Sequence, residues 1–153
     1  MPFYLVYTSL PRIEMSKSTL EEITRISIRN NRKKGITGIL LGIESRYLQF
    51  LEGDEEDVLQ LCERIKQDPR HYELNKWVQG HSDERVFSDW SMASWLLTNE
   101  ELKSIKALNE IRQLLKDPQQ ENYASGRFLE MIKNLMESWI AHGEERFPRS
   151  NHD

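Results

Sequence analysis

The sequence predicts an α+β, ferredoxin-like fold: a five-stranded sheet with two helices on one face and two C-terminal helices on the other. Three observations carry that prediction. Strand and helix signals run in the order β-α-β-β-α-β-β, and the first two helices have explicit start and stop residues. The first strand, Phe3-Tyr4-Leu5-Val6-Tyr7, is apolar on both faces, which requires a sheet covered on both sides.

The first strand spans 3–8. Ser18-Thr19-Leu20-Glu21 has the form of a capping box, and the helix it opens runs to about Lys34, where Gly35 supplies the stop. Along that helix Ile23, Ser27 and Asn31 form one i, i+4 row. The second strand is expected over 36–43 and the third over 47–51, joined by the short hairpin Glu44-Ser45-Arg46. Gln49 interrupts the otherwise apolar third strand, which closes into the turn Glu52-Gly53. A buried primary amide without partners costs roughly 1–3 kcal/mol, so this side chain is either exposed or paired with something polar. Alternation places Gln49 with Tyr47 and Leu51, and Tyr7 with Phe3 and Leu5, so an amide and a phenol are candidates to line one pocket.

Asp54 caps a second helix whose first turn, Glu55-Glu56-Asp57, suits the helix dipole. Its apolar stripe is Val58, Leu61, Cys62 and Ile65, and Asp68-Pro69 marks its end. A fourth strand lies near 76–81 and a fifth near 90–97. Thr98-Asn99-Glu100-Glu101 opens a third helix carrying Leu102, Ile105, Leu108, Leu114 and Leu115. A fourth helix over 125–142 carries Phe128, Met131, Ile132, Leu135 and Trp139. The expected division is a main α+β domain over 1–97, a helical extension over 98–143 and a disordered tail over 144–153, with 117–122 as a connector.

At 153 residues the chain holds one domain of ordinary size. A net charge of −4 argues against direct nucleic-acid binding, which favours a basic face. The single cysteine, Cys62, excludes an internal disulfide, and no apolar run is long enough to span a bilayer. A cytoplasmic location without membrane attachment follows as the expectation. The four histidines show no ligand spacing, so no metal is predicted. Trp77, Trp95 and Trp139 are assigned to packing. Arg29, Arg32, Lys33 and Lys34 are assigned to a solvated, dipole-favoured last helical turn.

Several motifs in order resemble one known family. They are Tyr7-Thr8-Ser9, Arg29-Asn30-Asn31, Gly35-Ile36-Thr37-Gly38-Ile39-Leu40, Leu48-Gln49-Phe50-Leu51-Glu52-Gly53, Arg64-Ile65, Asp68-Pro69-Arg70-His71 and Phe87-Ser88-Asp89-Trp90-Ser91-Met92. Across about residues 3–95 they resemble BLUF domains, blue-light sensors using FAD, here of the short stand-alone type. The resemblance implies an isoalloxazine ring between the two helices, with Tyr7 hydrogen-bonded to Gln49 and Gln49 facing flavin N5 and C4=O. It implies that light moves an electron and a proton from Tyr7 to the flavin. Recombination then leaves the flavin oxidised and the Gln49 amide reoriented or tautomerised. A phenol can lose both particles together, and the two ends of an amide have opposite hydrogen-bonding character.

The resemblance further places Asn31, with Asn30 beside it, at the flavin N3–H and C4=O edge. Arg64 and Asp68 fall near the C2=O and ribityl side, Ser27 adds a hydroxyl, and Ile23 and Ile65 are further expected cofactor contacts. Trp90 and Met92 match the positions proposed to relay the signal from Gln49, and either is a candidate to lie inward. FAD rather than FMN rests on the resemblance alone, since no glycine loop for phosphate is present. It also implies a non-enzymatic photoreceptor that forms homo-oligomers and acts on a protein partner of response-regulator or transcriptional-regulator type. Its C-terminal helices would relay small shifts of the fifth strand. Two readings stand beside it: a flavin- or protein-binding module without photochemistry, and a small acylphosphatase-like enzyme using Asn31. For Arg64 and Asp68 the plain alternative to ligand contact is an i, i+4 surface ion pair.

Overall fold

The structure is a computed structural model that describes residues 1–116 and 125–142. Five strands form one sheet in the order β4-β1-β3-β2-β5. They are β1 (Phe3–Pro11), β2 (Thr37–Ile43), β3 (Arg46–Gly53), β4 (His71–His81) and β5 (Ala93–Leu96). The four longer strands pair antiparallel, and β5 joins the edge of β2 in parallel. The helices are α1 (Lys17–Lys34), α2 (Glu55–Lys66), α3 (Asn99–Ser104), α4 (Lys106–Lys116) and α5 (Ser125–His142). The predicted α+β, ferredoxin-like architecture with an added fifth strand is the observed one.

Alternation along β1 divides the core. Phe3, Leu5 and Tyr7 pack with Leu40, Leu51, Val58 and Cys62 beneath α1 and α2. Tyr4 and Val6 pack on the opposite face with Phe50, Trp95, Leu108, Ile132 and Trp139, under α4 and α5. Each large apolar side chain so buried contributes about 1.5–3 kcal/mol, which explains why both faces need cover.

Several boundaries differ from the expectation: β1 continues past residue 8 to Pro11, β3 spans Arg46–Gly53 rather than 47–51, and others shift as follows. The N-cap of α1 is Ser16, which accepts from the Thr19 N–H at 3.1 Å, instead of Ser18. Ser16 and Ser18 have similar local credentials, and the cap went to the one with extended backbone one residue ahead of the helix. Strand β4 begins five residues earlier than expected, because its first half, around Tyr72, pairs with the end of β1 at Leu10 and Pro11. The predicted third helix is two helices, α3 and α4, broken at Ile105, whose backbone is extended. Strand β5 starts at Ala93 rather than at Trp90, and a bend at Ser91 precedes it. The 117–122 connector, the 144–153 tail and the side chains of Leu114, Leu115 and Phe128 lie outside the described residues.

Other elements agree. Gly35 closes α1 in the left-handed conformation at φ 66°, and Asp54 caps α2 by accepting from the Glu56 and Asp57 N–H groups. The β2–β3 hairpin turns at Glu44 and Ser45, both with positive φ, the geometry whose twist suits a two-residue loop.

Candidate functional site

The cleft between α1 and α2 opens over the centre of the sheet, with a volume of about 250 Å³. Strand register sets its floor. Gln49 on β3 stands directly opposite Tyr7 on β1 and Leu40 on β2, so phenol, amide and alkyl chain sit side by side on one face. A register irregularity between β1 and β4 falls at Val6/Tyr7, beside the phenol. The walls come from helical spacing: Ile23, Ser27, Asn30 and Asn31 from α1, Arg64 and Ile65 from α2, and Asp68 just beyond it. All nine side chains expected to touch a ligand therefore border one cavity.

The polar groups are buried and directed. Tyr7 and Gln49 are 2% and 5% exposed, and the Tyr7 hydroxyl donates to Gln49 Oε1. Gln49 Nε2 donates in turn to Met92 Sδ at 3.5 Å. Burial, with a smaller contribution from the nearby Asp68 carboxylate, pushes the Tyr7 phenol well above its ordinary range, so it stays protonated. Asn31 donates to the Ser91 carbonyl at 2.9 Å, leaving its own carbonyl available toward the cleft.

At the other end Asp68 is gripped by Arg70, through Nε at 3.0 Å to each carboxylate oxygen and Nη2 at 2.5 Å. This grip holds the Asp68 carboxyl below its usual range, and burial pushes His71 down. The Arg64–Asp68 surface pair considered from spacing does not form. Helix α2 ends at Lys66, so Asp68 is off the helix and i, i+4 geometry does not apply.

Trp90 and Met92 separate. Met92 packs in the cleft-side core against Gln49, whereas Trp90 packs on the far side, edge-on to Trp139 with ring centroids 4.8 Å apart. Had β5 begun at Trp90, period-two alternation would have put both on one face; the bend at Ser91 is what parts them.

Several cleft residues carried no role in the sequence reading. Ser9, Ile26, Leu40, Tyr47, Leu61, Arg70 and His71 also line the cavity. Arg70 and His71 stood in a quoted motif, and the capture of a buried-side carboxylate by Arg70 is the signal that marks it. Glu52 was taken for a turn residue, yet it is fully buried. It accepts from Val86 N–H at 2.7 Å, Phe87 N–H at 2.6 Å and Thr37 Oγ1–H at 2.8 Å. Burial raises its pKa while those three bonds pull against the rise.

The donor set fits a flat heteroaromatic with a carbonyl and N–H edge. Two buried amides, Gln49 and Asn31, line the cavity together with the apolar side chains of Ile23, Leu40 and Ile65 and the guanidinium groups of Arg64 and Arg70. Among the described residues no group of three potential metal ligands occurs, and no helix is long and apolar enough to cross a membrane.

Comparison with known proteins agrees with this geometry. Residues 3–93 match the family described as BLUF, sensors of blue light using FAD. The chain is 35% identical over 108 residues to the photoactivated adenylate cyclase subunit beta of Euglena gracilis, covering 70% of this chain and 12% of that protein. It is 36% identical over 88 residues to the blue light- and temperature-regulated antirepressor BluF of Escherichia coli, covering 58% of this chain and 22% of that one. The chain thus spans less than a quarter of either curated relative. Among solved structures, the dark state of the BLUF protein BlrB superposes with a TM-score of 0.69 at 26% identity, covering 90% of this chain and 96% of that one.

Proposed function

Because this chain belongs to the BLUF family of sensors of blue light using FAD, we propose that it is a blue-light photoreceptor whose switch is the Tyr7–Gln49 pair. The observation that carries the reading is the Tyr7 hydroxyl donating to the Gln49 amide on the floor of a cleft shaped for a flat ring. Gln49 and Asn31 would hold the ring's polar edge, Asn30 and Ser27 would adjoin it, and Ile23 and Ile65 would pack its faces. Arg64 and Asp68, with Arg70 fixed by Asp68, would hold the opposite end. FAD bound there supplies the absorption of blue light and an excited state able to accept an electron.

The chain's own part is proton and hydrogen-bond management. Tyr7 gives up an electron and its hydroxyl proton together and recovers both. Burial opposes a lasting phenolate, which favours that concerted release and return. Gln49 reads the event. Its amide now presents oxygen to Tyr7 and nitrogen to Met92. Reversal would present the amide oxygen to the Met92 sulfur, itself only a weak acceptor, and tautomerisation would leave the nitrogen a single N–H, so that contact is lost or weakened and Met92 shifts. The consequence would pass through Trp90 and β5 to α4 and α5.

The test is the absorption spectrum of the purified chain: yellow colour with a light-induced, reversible red shift supports the sensor, and a light-inert flavin spectrum overturns it in favour of a flavin-binding module. Colourless protein that does not take up added FAD overturns the cofactor assignment as well. Acting as a sensor rather than a catalyst, the chain would work as a homo-oligomer on a protein partner of response-regulator or transcriptional-regulator type. Co-purification in darkness and under illumination, with a partner retained in one state alone, is the result expected.

A further inference from the structure

Glu52 sits on β3 three residues beyond Gln49, on the opposite face of the sheet. A carboxylate with no exposure is costly unless fully bonded, and a residue of similar shape without charge would fill the same space. What the carboxylate adds is a grip on two consecutive backbone N–H groups, Val86 and Phe87, in a stretch without strand or helix partners. Arg85 reinforces that grip by donating to the Gly35 carbonyl at 2.6 Å and to Thr37 Oγ1 at 3.1 Å.

The segment so held runs directly to the cleft. The Trp90 N–H returns to the Phe87 carbonyl at 3.0 Å, and the Trp90 carbonyl accepts from Gly38 N–H at 3.2 Å. The Ser91 carbonyl accepts from Asn31, and the Met92 sulfur from Gln49. One end of 86–92 is therefore bound by a side chain remote from the cleft, and the other by the two amides that line it. Phe87 also packs against both Phe50 and Trp90, which carries the fixed end into the far core.

We propose that Glu52 is a positioning residue of the photochemical site: it anchors the 86–92 segment at Val86 and Phe87, so that rearrangement at Gln49 moves the Trp90–Met92 end against Trp139. Without the anchor the Val86–Phe87 end of the segment can give way, and a change at Gln49 dissipates along it. This rests on the photoreceptor reading, and its test separates the two.

Glu52→Gln keeps the size and replaces one acceptor oxygen by an NH2 that opposes its donor. The tryptophan indole resonances of 15N-labelled protein, with Trp90 assigned by its loss in Trp90→Phe, report the anchored end in darkness. Decay of the red-shifted state reports the switch. We expect a shifted or split Trp90 resonance and a decay rate changed by about fivefold or more. Glu52→Asp, which keeps both acceptors, should restore part of each. A lowered melting temperature with an unchanged Trp90 resonance and unchanged decay means that Glu52 only stabilises, and overturns the proposal. Thr37→Val removes one donor and carries the same expectation at about twofold, so it decides the matter if Glu52→Gln does not fold. A wild-type chain without a red shift defeats the photoreceptor reading, whereas an unmoved Trp90 resonance defeats the role of Glu52.

Discussion

At the scale of single residues, the protonation of Tyr7 decides what the site can do. Its phenol is buried, and that burial is the main cost of ionising it. Tyr7→Phe keeps the ring packing and removes the hydroxyl, so it should abolish the light-induced red shift while flavin stays bound, as difference absorption spectroscopy would record. A normal shift would end its role as donor. Asp68 supplies a pH prediction. Its folded pKa lies below the unfolded value, because Arg70 bonds its ionised form. The stabilisation is therefore present above the unfolded pKa and is lost as pH falls through the folded one. Below pH ~4 the melting temperature of the wild type should fall more steeply than that of Asp68→Asn.

The same scale shows what a sequence reveals. Gln49 announced itself because a lone amide stands out against the apolar residues on either side of it, although its partners Tyr7 and Met92 are also distant in sequence. Glu52 lies three residues along that strand, but its partners Val86 and Phe87 are more than thirty residues away. Next to Gly53 it resembled an ordinary turn residue, and only tertiary pairing distinguishes it.

At the scale of elements, two glycines of the same motif have different reasons to be glycine. At Gly38 on β2 a Cβ would stand 2.0 Å from the Phe50 carbonyl oxygen, and backbone cannot yield cheaply. At Gly35 a Cβ would meet nothing within 4 Å, and only the positive φ resists a side chain. Gly38→Ala should therefore cost roughly 3 kcal/mol or more, and Gly35→Ala about 1 kcal/mol, in urea unfolding. Equal losses would contradict the packing assigned to β2. Elements with local signals were legible: Asp54 before an acidic turn, Gly35 after a basic one, and the Thr98–Glu101 capping box all lie where expected. The break at Ile105 and the late start of β5 were not. Both depend on how far neighbouring elements reach, and an apolar pattern continues unbroken across each.

At the scale of the whole molecule, the fifth strand is fastened to the C-terminal helices by its own tryptophan neighbours. The Trp139 indole donates to the Ser94 carbonyl at 3.1 Å, and the Trp95 indole donates to the capping-box Glu101 at 3.1 Å. Arg112 on α4 also pairs with Glu44 in the β2–β3 turn. Illumination should alter hydrogen exchange in β5 and in the described part of α5. Trp139→Phe should weaken the α5 response and leave the red shift intact. Identical light and dark exchange throughout β5 and α5 would count against this route.

The bend at Ser91 makes strand length a variable of the molecule. Straightened, residues 90–92 would extend β5 backwards along β2, and pleating would turn the indole of Trp90 toward the side that Met92 now occupies. The ladder hydrogen bonds gained on one edge would be set against an emptied aromatic socket beside Trp139 on the other. Two lengths of one short ribbon would thus present two distinct surfaces beneath α5, with no rigid-body motion required.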